Sequence, residues 1–159
     1  IAMQARHQLT IFADPFQFVV QDEASTDDFG AIWTPEALSM GTAFGLNAVC
    51  PGTLRNVDVH VEINFLETAP TLDLSTFDHA VEGSIELPTG IVVVMGCTGY
   101  LPDATRFSVR PGTYRVLALM QGIETIKNEW DPADDRYPVY MWPGEARPPR
   151  LLKHWKGDA

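Results

Sequence analysis

Residues 57–65 carry the most restrictive pattern in the chain, an alternation of apolar and polar side chains. The apolar positions are Val57, Val59, Val61, Ile63 and Phe65, and the polar positions are Asp58, His60, Glu62 and Asn64. A period of two places these two sets on opposite faces of a β-strand. The segment is therefore predicted to be an antiparallel strand with one buried face and one solvent-facing side.

Other short segments show extended patterns, and turn residues separate them. They are residues 9–12, 16–20, 81–87, 91–95, 114–120 and 139–142. Only one segment has helix-start chemistry, because Thr34 suits an N-cap, Pro35 the first helical position and Glu36 the positive end of the dipole. We therefore expect a mainly β fold, an antiparallel β-sandwich of about eight strands with one short helix near residues 35–43.

The chain length of 159 residues fits a single core. We expect one sandwich domain over residues 3–143, followed by a basic, proline-containing C-terminal segment over residues 144–159. That segment is predicted to be either an extended edge segment or a mobile tail. Ile1 and Ala2 precede Met3 and are interpreted as a cloning remnant. No basic-then-apolar leader follows Met3, which predicts a cytoplasmic location.

Acidic residues dominate the charge and are unevenly placed. The chain has a net charge of −10, and its first 105 residues hold fourteen acidic residues against only Arg6 and Arg55. This balance argues against direct binding to nucleic acid, because phosphates require lysine and arginine. No run of 18 apolar residues exists to span a membrane. The charge favours a basic protein partner, or it is simply a solvated surface. The oligomeric state stays open.

Sequence motifs for catalysis are absent. No phosphate loop, dinucleotide fingerprint, zinc-protease motif, nucleophile elbow or calcium loop occurs, so we predict no catalytic residue, cofactor or metal. One alternative is a metal-dependent enzyme that uses Asp58, His60 and Glu62 on their shared strand face. Cys50 and Cys97 lack a metal-ligand spacing and are expected to be buried structural thiols.

Two acidic clusters are candidate partner-binding loops. The candidate binding residues are Asp22, Glu23, Asp27, Asp28, Trp33, Glu129, Asp131, Asp134 and Asp135. Carboxylates on loops can pair with the basic groove of a partner and raise the association rate. Trp33, Trp130 and Tyr137 lie near the clusters in sequence, and aromatic anchors beside charges are typical of interface hot spots. The alternative is that the tryptophans fill the core.

The first 65 residues together resemble the competence protein J family of DNA-entry nuclease inhibitors. The resemblance rests on residues 9–11, 16–20 and 33–38, Gly41, Ala43, and Arg55-Asn56 with the alternating strand that follows. It implies a compact, mostly β protein that binds and silences a nuclease without a reaction of its own. The leading hypothesis is therefore a non-enzymatic, inhibitor- or immunity-type bacterial protein that binds a nuclease or toxin. A binding module or structural protein with another ligand is the alternative.

Overall fold

The computed structural model describes residues 5–156, and its strands form two β-sheets. The predicted remnant at residues 1–2 lies outside the described residues. In chain order the strands are β1 (Ala5–Phe12), β2 (Phe18–Asp22), β3 (Thr42–Phe44), β4 (Ala48–Pro51), β5 (Asp58–Phe65), β6 (His79–Leu87), β7 (Ile91–Gly96), β8 (Thr105–Ser108), β9 (Gly112–Met120), β10 (Arg136–Pro143) and β11 (Arg150–Lys153). The mainly β prediction is confirmed, with more strands over residues 5–156 than the eight expected.

The six-stranded sheet has the order β1-β5-β10-β9-β6-β11, and the five-stranded sheet has the order β3-β4-β2-β7-β8. Most neighbours are antiparallel, but β5 and β10 run parallel, with His60 opposite Arg136. The expectation of antiparallel pairing is wrong for this pair. β9 ends at the end of the sheet where β5 begins, and the loop 122–135 joins it to the antiparallel β10, so β10 starts beside β5 and runs in the same direction.

The main core lies between the two sheets. Alternate residues of β5 and β10 point inward, including Val61, Ile63, Tyr137 and Val139, and they pack with Phe18 of β2. The predicted alternation is confirmed for Val59, Val61 and Ile63, which are buried, and for His60 and Glu62 on the outer face. Asn64 is the exception, because it belongs to the polar set but is buried. Hydrophobic burial on this one face fixes the strand register, because a shift of one residue would invert every side chain.

Two short helices cover the outer face of the five-stranded sheet. They are α1 (Phe29–Ile32) and α2 (Pro35–Met40). Thr34 Oγ1 accepts the Ala37 amide hydrogen at 3.2 Å, which confirms the predicted N-cap. The helix ends before residue 43 because Gly41 adopts a left-handed conformation, with φ of 71°, and caps the last turn. Neither helix is long and apolar enough to cross a membrane, which holds for all helices of residues 5–156.

The two thiols are close neighbours under these helices. Cys50 is buried in the cluster with Val19, Ala37 and Ala43, and the half-buried Cys97 packs against it. Both are free thiols. The hydrogen bond with Cys97 and burial together raise the pKa of Cys50, so its thiol stays protonated and unreactive at neutral pH.

A loop at residues 66–78 covers part of the outer face of the six-stranded sheet. It includes a 3₁₀ turn (Leu74–Thr76), and its apolar side chains pack on Leu117, Leu119 and Trp142. Two further 3₁₀ turns occur at Leu101–Asp103 and Ile123–Thr125. The outer face of β1, β5 and the first part of β10 carries mostly polar side chains and forms a groove bounded by the loop at residues 66–78.

Part of the C-terminal segment is an edge strand. β11 pairs antiparallel with β6 at the edge of the sheet. Arg150–Lys153 are therefore extended, which is the first of the two alternatives predicted for this segment. Just beyond it, the Trp155 amide donates to His79 Nδ1 at 3.1 Å. The His79 Nε2–H group donates to the Met40 carbonyl at 2.6 Å. In its neutral form the buried His79 ring accepts one of these hydrogen bonds and donates the other. It thereby links the C-terminal segment to the end of α2.

We predict that the stability of the protein falls as the pH drops below about 6.5. Burial lowers the pKa of His79, and His154 opposes protonation further, so the unfolded chain takes up a proton that the folded chain refuses. The free energy of unfolding should therefore decline down to the folded-state pKa. His79→Gln keeps a donor and an acceptor but cannot titrate. Urea unfolding at several pH values should show a smaller pH slope for this variant, and equal slopes would contradict the assignment.

Candidate functional site

The loop over residues 122–135, here the Trp130 loop, presents the most exposed tryptophan of the described chain. Trp130 is 78% exposed, which is unusual for the largest apolar side chain. Asn128 Oδ1 accepts the backbone amides of Trp130 and Asp131, each at 2.8 Å. Asn128 Nδ2 also donates to the Asp131 carboxylate at 2.8 Å. These bonds hold the indole at the tip of an ordered turn.

The base of the Trp130 loop is closed by backbone bonds. Gln121 and Arg136 exchange two backbone hydrogen bonds, at 2.9 and 2.8 Å. Gly122 follows with a φ of 72°, and a Cβ atom at this position would lie 2.4 Å from the Asp134 carbonyl oxygen. Glycine is therefore required where the loop leaves the sheet. The loop is a compact surface loop with its ends close together.

A buried ion pair anchors the Trp130 loop to the core. Arg55 donates from Nη2 to Asp135 Oδ1 at 2.6 Å and from Nε to Oδ2 at 3.2 Å. Their side chains are 8% and 0% exposed. Arg55 Nη1 also donates to the Asp131 carbonyl at 3.1 Å, so one guanidinium holds two points of the loop. Such a bidentate pair has the geometry of strong, charge-assisted hydrogen bonding.

Tyr137 completes the anchor. Its hydroxyl donates to Asp135 Oδ2 at 2.8 Å and accepts the Leu54 amide hydrogen at 3.1 Å. Burial raises the pKa of Tyr137, and the Asp135 carboxylate adds to the shift, so the hydroxyl keeps its proton. The carboxylate of Asp135 is thereby saturated with donors inside the protein. Its charge is compensated rather than presented to a partner.

Two further loops join this end of the sandwich, at residues 13–17 and 52–57. The Phe16 amide donates to Asn56 Oδ1 at 3.1 Å, and the Phe16 carbonyl accepts from the Thr53 amide at 2.8 Å. Phe16 has a φ of 58°, which is strained for a bulky residue, and these bonds hold it there. Its ring is 47% exposed. We call the surface formed by the loops 13–17, 52–57 and 122–135 the loop face.

A shallow apolar groove of about 420 Å³ adjoins the loop face. Its main apolar lining comprises Phe16, Trp33, Leu38, Leu54, Met120 and Trp155. Trp33 is half-buried, and its indole Nε1–H donates to Gln17 Oε1 at 2.7 Å. Trp33 therefore belongs partly to the packing under α1 and partly to this surface.

The structure divides the second acidic cluster between surface and interior. Asp131 and Asp134 are exposed and Glu129 is half-buried, all three beside Trp130. Asp135 is buried against Arg55, so the prediction that Asp135 contacts a partner needs correction. The cause is the salt bridge, which only the fold could reveal, since 80 residues separate the two side chains.

The first acidic cluster lies at the other end of β2, one strand length away from the loop face. Its members mostly satisfy backbone donors of their own region. Asp22 is buried and accepts from the Ala24 amide and from Thr89, so it too is corrected to an internal residue. Asp27 accepts the Leu46 and Asn47 amides at 2.9 and 2.8 Å. Asp28 caps α1.

Only Glu23 of that cluster is exposed without a side-chain hydrogen bond among the described residues. The fold therefore brings Trp33, Glu129, Asp131 and Asp134 to one end of the molecule and leaves Glu23, Asp27 and Asp28 at the other.

The polar face of β5 does not assemble a metal site. Within residues 5–156 no three His, Cys, Asp or Glu side chains converge in the manner a metal ion requires. Glu62 instead forms an ion pair with Arg6 and accepts from Asn64 Nδ2 at 3.3 Å. The alternative that uses Asp58, His60 and Glu62 as metal ligands therefore finds no support in this geometry.

Sequence reasoning missed Arg55 as the buried anchor of the loop and Phe16 and Leu38 as parts of the surface. It named Trp130 only as a neighbour of the acidic residues. One signal for Arg55 was available, because it is one of two basic residues among the first 105. A lone arginine beside a strand in an acidic chain is a candidate for an internal ion pair. No pattern indicated the exposure of Phe16, which depends on its positive φ.

The arrangement described above is that of a small two-sheet β protein with an exposed aromatic loop at one end. Among solved structures, the chain is similar to ComJ from Bacillus subtilis, described as an inhibitor of the DNA-degrading activity of NucA. The TM-score is 0.66, with 17% sequence identity over 91% of this chain and 99% of ComJ. The chain is also similar to the crocagin biosynthetic gene J protein, with a TM-score of 0.58 and 18% identity over 91% of this chain and 99% of that one.

No protein-family model and no curated protein matches the sequence. The resemblance to the competence protein J family, expected from the first 65 residues, is confirmed as a shared fold over nearly the whole chain.

We predict that Asp135→Asn destabilises the protein by about 3–5 kcal/mol, because it leaves the Arg55 charge buried without its partner. Asp134→Asn changes the neighbouring exposed carboxylate and should cost less than about 0.5 kcal/mol. Urea unfolding of both variants measures the difference. Similar stabilities for the two variants would show that the ion pair does not anchor the loop.

Proposed function

We propose that this chain is a non-enzymatic, cytoplasmic bacterial protein that binds and inhibits a basic partner, a DNA-degrading nuclease, through its loop face. The proposal is supported by the fold shared with ComJ, which inhibits the NucA nuclease of Bacillus subtilis. The surface itself supplies the physical argument.

The exposure of Trp130 is the observation that carries the proposal. An indole held in water exposes apolar area whose burial is worth about 25 cal/mol per Å². Tryptophan is also the residue most enriched at interface hot spots. The loop that carries Trp130 is fixed by Arg55, so little conformational freedom is lost when a partner covers it.

The negative side chains near Trp130 favour a positively charged partner. Glu129, Asp131 and Asp134 lie in the same loop as Trp130 and form no salt bridge within the described chain. A nuclease presents a positively charged groove to the phosphates of DNA. Carboxylates next to an aromatic anchor match that groove in sign and speed the encounter. The protein would block the groove by occupation, so it needs no catalytic residue.

The direct test combines the purified chain with a NucA-type nuclease from its source organism and follows the cleavage of linear duplex DNA. The proposal expects the nuclease activity to fall in proportion to added protein and to vanish near equimolar addition. Full nuclease activity in a large molar excess of the chain would contradict it.

We predict that the triple charge reversal Glu129→Lys, Asp131→Lys and Asp134→Lys slows association with that nuclease by about tenfold or more at low salt. High salt should remove most of the difference, because it screens the charges. The matched control reverses Glu23, Glu36 and Glu145, which are exposed elsewhere and change the net charge equally. Stopped-flow binding measures the association rate constants of the loop variant and of the control variant. An equal decrease in both would show that only the net charge matters and would contradict the prediction.

We also predict that Trp130→Ala weakens the complex by about thirtyfold or more, the effect expected for an interface hot spot. Leu46→Ala is the control, since Leu46 is 67% exposed at the opposite end, beside Asp27. Calorimetric titration of the nuclease gives both dissociation constants. An unchanged constant for Trp130→Ala would remove the indole from the interface.

A further inference from the structure

A second concave surface, here the polar groove, lies on the outer face of the six-stranded sheet. Its floor is formed by β1, β5 and β10, and residues 66–72 form its wall. The groove encloses about 580 Å³, a size typical of small-molecule sites. It shares no lining residue with the apolar groove beside the loop face.

Strand register brings the polar side chains of the floor together. His60 of β5 stands directly beside Arg136 of β10, on strands about 4.8 Å apart. Further along, Asn64 lies between Arg6 of β1 and Tyr140 of β10. All five side chains line the groove.

One part of this set is internally compensated. Glu62 forms an ion pair with Arg6 and accepts from Asn64 Nδ2. Asn64 Nδ2 also approaches the Val139 carbonyl at 3.4 Å. The negative charge of Glu62 is therefore balanced by Arg6, and Arg136 is the remaining cation of the floor, while Glu67 is a carboxylate of the wall.

The other part has unused hydrogen-bonding capacity. Within residues 5–156, the guanidinium of Arg136 has no carboxylate within salt-bridge distance, so its donors are free to bind a ligand. Asn64 is only 5% exposed as a residue, and no donor of the described residues reaches its Oδ1 atom. This oxygen is not among the buried unpaired atoms of residues 5–156, so it remains accessible to an outside donor. Burial raises the pKa of Tyr140, and the Glu62 carboxylate adds to this, so its hydroxyl remains a donor.

We propose that the polar groove binds a small molecule that carries an oxyanion, a carboxylate or a phosphate, together with at least one hydroxyl group. Arg136 and His60 bind the oxyanion, because a guanidinium offers paired donors in a geometry that fits such groups. Asn64 Oδ1 accepts from the ligand hydroxyl, and the Tyr140 hydroxyl donates to it. This site does not depend on the proposed inhibition, although Gln121 and Arg136, which line it, also close the base of the Trp130 loop.

Nuclear magnetic resonance titration tests the site with three probes: inorganic phosphate, ribose 5-phosphate and citrate. We expect saturable shifts of the His60, Asn64 and Arg136 signals with ribose 5-phosphate or citrate, and weaker binding of inorganic phosphate. The better probe distinguishes a phosphate from a carboxylate ligand. No saturable shift with any probe would overturn the proposal, and equal binding of inorganic phosphate would overturn the role of the hydroxyl contacts.

Arg136→Ala should weaken the binding of the better probe by about tenfold or more, the loss expected for a charged hydrogen bond. Arg136→Lys should restore only part of it, since lysine lacks the planar fork. Arg147→Ala is the control, because Arg147 is an exposed arginine outside the groove. Equal weakening in the Arg136 and Arg147 variants would reduce the effect to net charge and overturn the site.

Discussion

The buried ion pair between Arg55 and Asp135 connects the sandwich with the surface on which the proposed function depends. Arg55 belongs to the loop before β5 and Asp135 immediately precedes β10, so the pair fixes where two neighbouring strands begin. The same guanidinium holds the Asp131 carbonyl and thereby the turn that presents Trp130. Removing charges from water is expensive, and the cost is offset here by the donors that saturate Asp135. The hydrogen bonds of Arg55 and Tyr137 therefore hold the loop rigid.

The acidic residues of the chain have three different roles, which composition alone does not separate. Asp22 and Asp135 are internal and satisfy donors of the fold. Asp27 and Asp28 bind backbone amides of a turn and a helix start. Glu129, Asp131 and Asp134 remain on the surface beside an exposed indole. The net charge of −10 therefore does not mean that the whole surface is equally acidic. The positions of the exposed carboxylates decide which face suits a basic partner.

Local patterns predicted much of the fold. The alternation in residues 57–65 and the Thr34-Pro35 helix start specify structure within a few residues, so both could be predicted. The strands β3, β4 and β8 were missed because they are three or four residues long and acquire their pairing from neighbours. β11 was predicted only as one of two alternatives for the C-terminal segment. The candidate site was predicted only in part. Partners such as Arg55 and Asp135 are distant in sequence, so the same acidic composition gave one buried carboxylate and three surface ones.

The central claim is that a nuclease is bound by the Trp130 loop and its neighbours at one end of the sandwich. Hydrogen–deuterium exchange of the chain, free and in complex with its NucA-type nuclease, tests this claim most directly. The account predicts slower exchange in the complex over residues 122–135 and 13–17, with residues 22–31 at the opposite end unchanged. Protection confined to residues 22–31 or to the polar groove, with the Trp130 loop exchanging as in the free protein, would contradict it.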